Sequence, residues 1–346
     1  MSAGAGSADV GGTRSGAASE RTIRGALTLI RIGPGIILLL LAVGFSLLAP
    51  EFLTFRNLTN ISLQTAVLAT LAIGMLFVIL VAGIDLSVGS VLALSTVTGA
   101  LVFSATPEFG GLVTIPVILL TGAAVGAING IALVKGKMPH AFIPTLATFY
   151  AARGLALVLA DGRAIPEAPD IAVTIGYGFI GPVPWAVILV AVLAVTAIII
   201  LRKLKWGRWI YAVGGDKEAA RRAGIPVDKV IISVFIISGL MAGFAGLITM
   251  GRTASGYPTA GELAELQAIA AVIIGGASFF GGRGTVVGAL VGALIIGVLQ
   301  NGLNLLGVST FWQLIVSGII IAVAVELDVL RRMLEQRFRT LQAKGA

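Results

Sequence analysis

Residues 61–83 read ISLQTAVLATLAIGMLFVILVAG, 23 positions without one charge. A helix rises about 1.5 Å per residue and needs about 20 such residues to cross bilayer hydrocarbon. Working outward with that criterion gives ten candidate spans: 33–50, 61–83, 88–106, 112–134, 141–160, 183–201, 230–250, 264–279, 285–306 and 311–328. The eighth is short enough for a re-entrant segment. Composition agrees with the segment reading. The 346 residues are 57% hydrophobic and 12% charged, with a mean hydropathy of +1.03, a balance that no soluble surface accommodates. The 46 glycines suit close packing of membrane helices. The fold class expected is an all-α polytopic membrane protein of about ten transmembrane helices.

Charge sets its orientation. With the N-terminus placed inside, twenty of the 24 Lys and Arg residues fall on the inner face, as cytoplasmic loops require. The formal net charge of +8 then reflects topology rather than a nucleic-acid partner. The domains expected are an N-terminal cytoplasmic tail, 1–32, a transmembrane domain, 33–330, and a C-terminal cytoplasmic tail, 331–346. Residues 1–20 are rich in Gly, Ala and Ser and read as disordered; 21–32 suit a short surface helix. The first apolar stretch is too long and too late for a cleaved signal.

Whole classes of chemistry are excluded. There is no Cys and one His, His140, so disulfides, thiolate metal sites, His triads and multi-His zinc sites are ruled out. No catalytic residue, metal or bound cofactor is expected. A Gly-x-x-x-x-Gly-Lys-Ser/Thr loop occurs nowhere, so ATP hydrolysis belongs to another chain.

Polar residues interrupt the spans in a few places, and broken helices are tolerated only where protein or water covers the backbone. Residues 83–90, GIDLSVGS, form one break. Asp85 and Ser87 are candidate caps for the following helix, either in a tight inner-face turn or in an elbow beside a solute path. A second break, GGASFFGGRG at 275–284, reads as an inner-face connector. Within spans the polar candidates are Gln64, Thr65, Asn129, Thr145, Thr148, Arg153, Gln300, Asn301, Asn304, Trp312 and Gln313. Amides, hydroxyls and an aromatic face suit a neutral polyol, and they also suit interhelical hydrogen bonds. Arg153 has three readings: snorkelling, structural pairing, or facing the path. Asp85, Ser87, Asn129, Arg153, Asn301, Asn304, Trp312 and Gln313 are the pathway candidates. GAINGIAL at 126–133 is echoed by GVLQNGLN at 297–304. The two spans lie five apart in order and so run in opposite directions, which fits an inverted repeat.

The long inner loop, 202–229, contains DKEAARRAGI at 216–225. Asp216 suits an N-cap and Gly224 a helix stop. The segment reads either as a solvated basic helix or as a docking helix, in which Ala219 and Ala220 permit close approach and Glu218 sets register. This stretch resembles the Glu-Ala-Ala loop through which ATP-binding-cassette permeases are coupled to their ATPase. GRWIYAVGG at 207–215, AGIDLSVGSVLAL at 82–94, FIPTLATFYAARGLALVLADGRAI at 142–165 and the run from Glu265 to Val316 are similar to the ribose-type monosaccharide permeases. The resemblance covers roughly 34–330. Gln267, Asp216 and Ala277 depart from the family's usual Asp, Asn and Thr.

The resemblance implies an importer permease for a monosaccharide, ribose first among pentoses, in a bacterial inner membrane. It implies a cytoplasmic ATPase that carries the ATP and Mg, an external sugar-binding protein, and a second permease copy or a homologous chain. Asp216, Glu218, Ala219, Ala220 and Gly224 become the ATPase-coupling residues. Glu51, Glu108, Asp161, Glu167, Asp170, Glu262 and Glu265 are expected on the external face, where the binding protein docks. Three alternatives stand beside this reading: a branched-chain amino acid or polyol importer, an ATP-independent secondary transporter, and a membrane scaffold.

Overall fold

The computed structural model describes residues 32–345, so the N-terminal tail and its surface helix lie outside the described residues. Thirteen helices follow one another: α1 Ile32–Leu48, α2 Phe55–Leu80, α3 Val88–Ala105, α4 Gly111–Lys135, α5 Phe142–Leu159, α6 Asp170–Tyr177, α7 Trp185–Lys203, α8 Lys205–Gly215, α9 Lys217–Arg222, α10 Val227–Thr253, α11 Ala264–Ile274, α12 Val286–Leu305 and α13 Thr310–Gly345. A two-residue hairpin, Phe179–Ile180 with Val183–Pro184, joins α6 to α7. The chain is an all-α polytopic membrane protein.

The expected ten spans become eight long ones and two shorter helices. α2, α3, α4, α5, α7, α10, α12 and the Thr310–Leu330 part of α13 are long and apolar enough to cross a membrane. Ile32–Leu48 has 17 residues and α11 has 11. An 11-residue helix is about 16 Å long, half of what the hydrocarbon needs. The eighth span, 264–279, is therefore helical in its first part only, Ala264–Ile274. At the other end of the chain, α13 passes residue 330 without a break, so 331–345 are helical.

α2 and α10 form the centre. Both are buried along most of their length because their apolar residues are spread round the helix rather than gathered on one face. α4 lies across α10, and α12 across α2. The second span of each half thus packs on the fourth of the other, the exchange an inverted repeat produces. The echoed glycines occupy equivalent places: Gly126 meets the Phe235 carbonyl of α10, and Gly297 meets the Thr65 side chain of α2. Without side chains at Gly122, Gly126 and Gly239 the backbones of α4 and α10 approach to van der Waals contact, which is how helices gain adhesion where lipid removes the hydrophobic drive.

That contact predicts a sharp contrast between two glycines. Gly126→Leu drives a side chain into the Phe235 backbone and is expected to abolish recovery of monodisperse protein in detergent. Gly154→Ala, where an added methyl meets nothing within 4 Å, is expected to leave yield and size-exclusion profile unchanged.

Candidate functional site: a buried polar break and a coupling helix

The helical pattern stops at Leu80 and resumes at Val88. Between them the chain folds back among the helices instead of turning outside them. Asp85 lies beside Ser238, nine residues beyond Lys229 in α10, which is about 14 Å along that helix. Of the two readings of 83–90, the inward elbow is the one adopted. Neither Asp85 nor Ser87 caps α3 with its side chain in the expected way: Ser87 occupies the N-cap position but makes no capping bond. Its hydroxyl is engaged elsewhere.

Asp85 is 1% exposed and collects donors from two elements. Its Oδ1 accepts from the Ser87 amide (3.0 Å) and the Ser87 hydroxyl (2.6 Å). Its Oδ2 accepts from the Ser238 hydroxyl of α10 (2.8 Å). Asn129 of α4 donates to Ser87 Oγ (2.9 Å), and Thr148 of α5 donates to Asn129 Oδ1 (2.7 Å). Thr145 approaches the Ile84 carbonyl at 3.4 Å. Each donor points along the chain toward the carboxylate, so the break is satisfied by α4, α5 and α10 together. Satisfied networks of this kind rigidify a unique arrangement.

The other pathway candidates do not join it. Arg153 donates to the Pro258 and Ala260 carbonyls at 2.7 and 2.8 Å, so its hydrogen-bond partners there are backbone rather than an acid. Asn301 exchanges two 2.9 Å bonds with Asn57 at the start of α2. Asn304 accepts from Gln313 at 2.7 Å, which fastens the α12–α13 turn, and Trp312 is exposed beside it. Ser238 and Asn57 were not among the sequence candidates. Ser238 is one hydroxyl in an apolar helix, and Asn57 precedes the span as drawn from hydropathy, so neither carries a local signal.

At the α9 end of the bundle the coupling segment is built in two parts. α8 is anchored by Trp206, whose Nε1 donates to Ser233 of α10 (2.9 Å), and by Tyr211, whose hydroxyl donates to the Gly284 carbonyl (2.9 Å). Burial pushes the Tyr211 phenol up from its ordinary value, with Arg202 pulling the other way, so it serves as a neutral donor. Lys205 sits 4.9 Å over the Trp209 ring. Gly214 packs on the Leu80 carbonyl, the last of α2. The Gly282 amide donates to that same carbonyl at 2.9 Å, and Asp328 of α13 accepts from the Phe279 amide at 3.0 Å. α8 thus touches both the end of α2 and the 275–285 connector.

α9 then begins as expected. Asp216 Oδ1 accepts from the Glu218 and Ala219 amides, both at 2.9 Å, a complete N-cap. Glu218, Ala219, Arg221 and Gly224 are exposed. Ala220 is not: it is 4% exposed and packed on the chain's own core. Its small side chain lets α9 lie close to its own bundle, a correction to its expected place on the docking face. A polar cavity of about 220 Å³ separates α9 from the turn at 81–83, with Lys217, Arg221, Asp228 and His140 on its walls.

Comparison with known proteins fits this architecture. A family model described as a branched-chain amino acid transport system / permease component matches residues 57–325. The chain belongs to that permease family. The permease is 45% identical over 298 residues to the ribose import permease protein of Haemophilus influenzae, covering 85% of this chain and 91% of that one. It is 44% identical to the ribose import permease protein of Bacillus subtilis, covering 86% and 92%. It is 41% identical to the D-allose transport system permease protein of Escherichia coli K12, covering 91% and 96%. No solved structure matches the permease.

The Asp85 network predicts an order of stabilities. Asp85→Ala strands three donors, and each stranded buried group costs about 1–3 kcal/mol. Ser238→Ala removes a single bond, in membranes worth about 0.6 kcal/mol on average. Thermal unfolding in detergent is expected to show a large fall for Asp85→Ala and a small one for Ser238→Ala.

Proposed function

We propose that this permease is the membrane subunit of an ATP-binding-cassette importer for a monosaccharide, ribose or a related pentose. The observation that carries the reading is the 44–45% identity to ribose import permeases over 85% or more of the chain. Most of its buried polar groups are neutral hydroxyls and amides, beside the carboxyls of Asp85, Glu265 and Asp328, and this balance supports a polyol rather than an ion. An external binding protein selects the sugar, and a separate cytoplasmic ATPase binds ATP and Mg. This chain holds no cofactor. Two copies, or one copy with a homologous chain, enclose the path. The excess of basic residues at the α9 end supports a cytoplasmic position for both termini.

In this reading the ATPase grips the exposed side of α9, with Glu218 and Gly224 in contact. A push on α9 reaches the end of α2 through Gly214 and the 275–285 connector through Tyr211. Both broken spans then move together, which is how a local displacement becomes alternate access. Asp161, Glu167 and Asp170, exposed at the opposite end, receive the binding protein.

A second reading follows from the family description itself, an importer for branched-chain amino acids. Reconstitution of the permease with its ATPase and binding protein in proteoliposomes separates the two. Ribose or another pentose is expected to stimulate ATP hydrolysis and uptake, with leucine inert. Stimulation by leucine alone would reverse the assignment. Glu218→Arg and Gly224→Leu are expected to reduce uptake at least tenfold while the protein stays folded. Normal uptake in both would remove α9 from coupling. Reversing charge at Asp161, Glu167 and Asp170 is expected to weaken stimulation by the binding protein, and unchanged stimulation would sink the docking role.

A further inference from the structure

α10 ends at Thr253 and α11 starts at Ala264, and the ten residues between them have no helical pattern. They do not loop around the rim of the bundle. Gly256 packs against Thr96, Val97 and Ala100 of α3, and Gly261 packs against Gly89 of the same helix. From Ala100 to Gly89 is about 16 Å along α3, so the segment descends through the layer of spanning helices. Glu262 and Glu265, expected on the external face, are carried in with it. Glu265 is 4% exposed, packed against Gly89, and one of its carboxylate oxygens has no hydrogen-bond partner among the described residues.

One edge of the segment is tied down. The Tyr257 amide donates to Thr96 Oγ1 at 3.0 Å, the Gly256 amide and Ile165 carbonyl pair at 2.9 Å, and Arg153 holds the Pro258 and Ala260 carbonyls. The other edge is open: Tyr257, Thr259 and Glu262 are exposed. A phenol, a hydroxyl, a carboxylate and non-helical backbone therefore stand at the depth of the spans, exposed among the described residues. Hydrocarbon cannot cover such groups, and irregular backbone at that depth occurs only beside protein or water. The lipid-facing alternative has a visible counterpart in α7, whose exposed side carries Val192, Val195 and Ile199, with the single hydroxyl of Thr196 bonded back to the Val192 carbonyl of its own helix. Nothing of that kind covers Thr259 and Glu262.

We infer that Tyr257, Thr259 and Glu262 line the water-filled solute path, with Glu262 accepting hydrogen bonds from the hydroxyls of the passing monosaccharide. The inference rests on the sugar-importer reading for its solute. A carboxylate accepts from two neighbouring hydroxyls at once, an aromatic ring covers the apolar face of a sugar, and Thr259 both donates and accepts. Arg153, behind the segment and within electrostatic reach of Glu262, balances its charge.

The chain has no Cys, so single-cysteine variants report one position each. In proteoliposomes holding the full complex, Thr259→Cys and Glu262→Cys are expected to react with a charged methanethiosulfonate at least tenfold faster than Val195→Cys. Glu262→Gln is expected to raise the half-saturating sugar concentration for transport several-fold, with the binding protein's own affinity unchanged. Reaction rates equal to that of Val195→Cys would overturn the wetted path. Fast labelling with unchanged half-saturation in Glu262→Gln would overturn the sugar contact. If the wild-type complex moves no sugar, the importer reading fails separately, and the labelling comparison still decides whether the segment faces water. Thr259→Cys carries that comparison alone if Glu262→Cys is not recovered.

Discussion

Asp85 accepts hydrogen bonds from Ser87 and Ser238 at the point where the chain leaves one spanning helix and starts the next. A peptide segment without helical bonds is costly inside a layer of apolar helices unless neighbours supply its partners. The carboxylate satisfies the elbow from within, and Ser238, Asn129 and Thr148 extend the satisfaction to α10, α4 and α5. The relative placement of those helices follows from it. α3 starts deep in the bundle because the elbow ends there, and the first turn of α3 is then the surface against which Gly261 and Glu265 lie.

The two halves of the chain use this device differently. After α2 the break is short and buried at Gly83, Asp85 and Ser87, with Ala82 open to the cavity beside α9. After α10 it is longer, half-exposed, and held by backbone carbonyls that Arg153 gathers. The α4–α10 and α12–α2 crossings are alike, each made close by glycine. Rigid crossings with unlike breaks between them suit a transporter: the crossings keep each half intact while the breaks supply the surfaces that shift. α8 touches the end of α2 through Gly214 and the 275–285 connector through Tyr211, so it ties the first break to the segment that follows α11.

Local and non-local information separate clearly in the coupling segment. The N-cap of α9 was legible because an Asp before a short Ala-rich helix satisfies amides two and three residues on, and the structure makes those bonds. The side of α9 that meets its own bundle was not legible. Ala219 and Ala220 are identical in sequence terms, yet one is exposed and the other buried. Among the pathway candidates, Asp85, Ser87 and Asn129 converge in one network, whereas Arg153, Asn301 and Asn304 each serve a different contact.

What the sequence determined by itself is the class of the molecule: apolar runs of spanning length, basic residues gathered between particular spans, and the capped segment at 216–225. These depend on composition and spacing over twenty residues or fewer, and transfer from water to lipid is governed by just such local quantities. The tertiary structure alone decided how deep the breaks lie. It shortened the eighth span to an 11-residue helix preceded by a run of turns, sank Glu265 into the bundle, and brought Ser238 to Asp85 across 153 residues. Hydropathy averages over a window and does not distinguish a helix from a series of turns at the same depth. Only the packing of α3 against 256–261 does so, because contact between distant backbones fixes where each one stands.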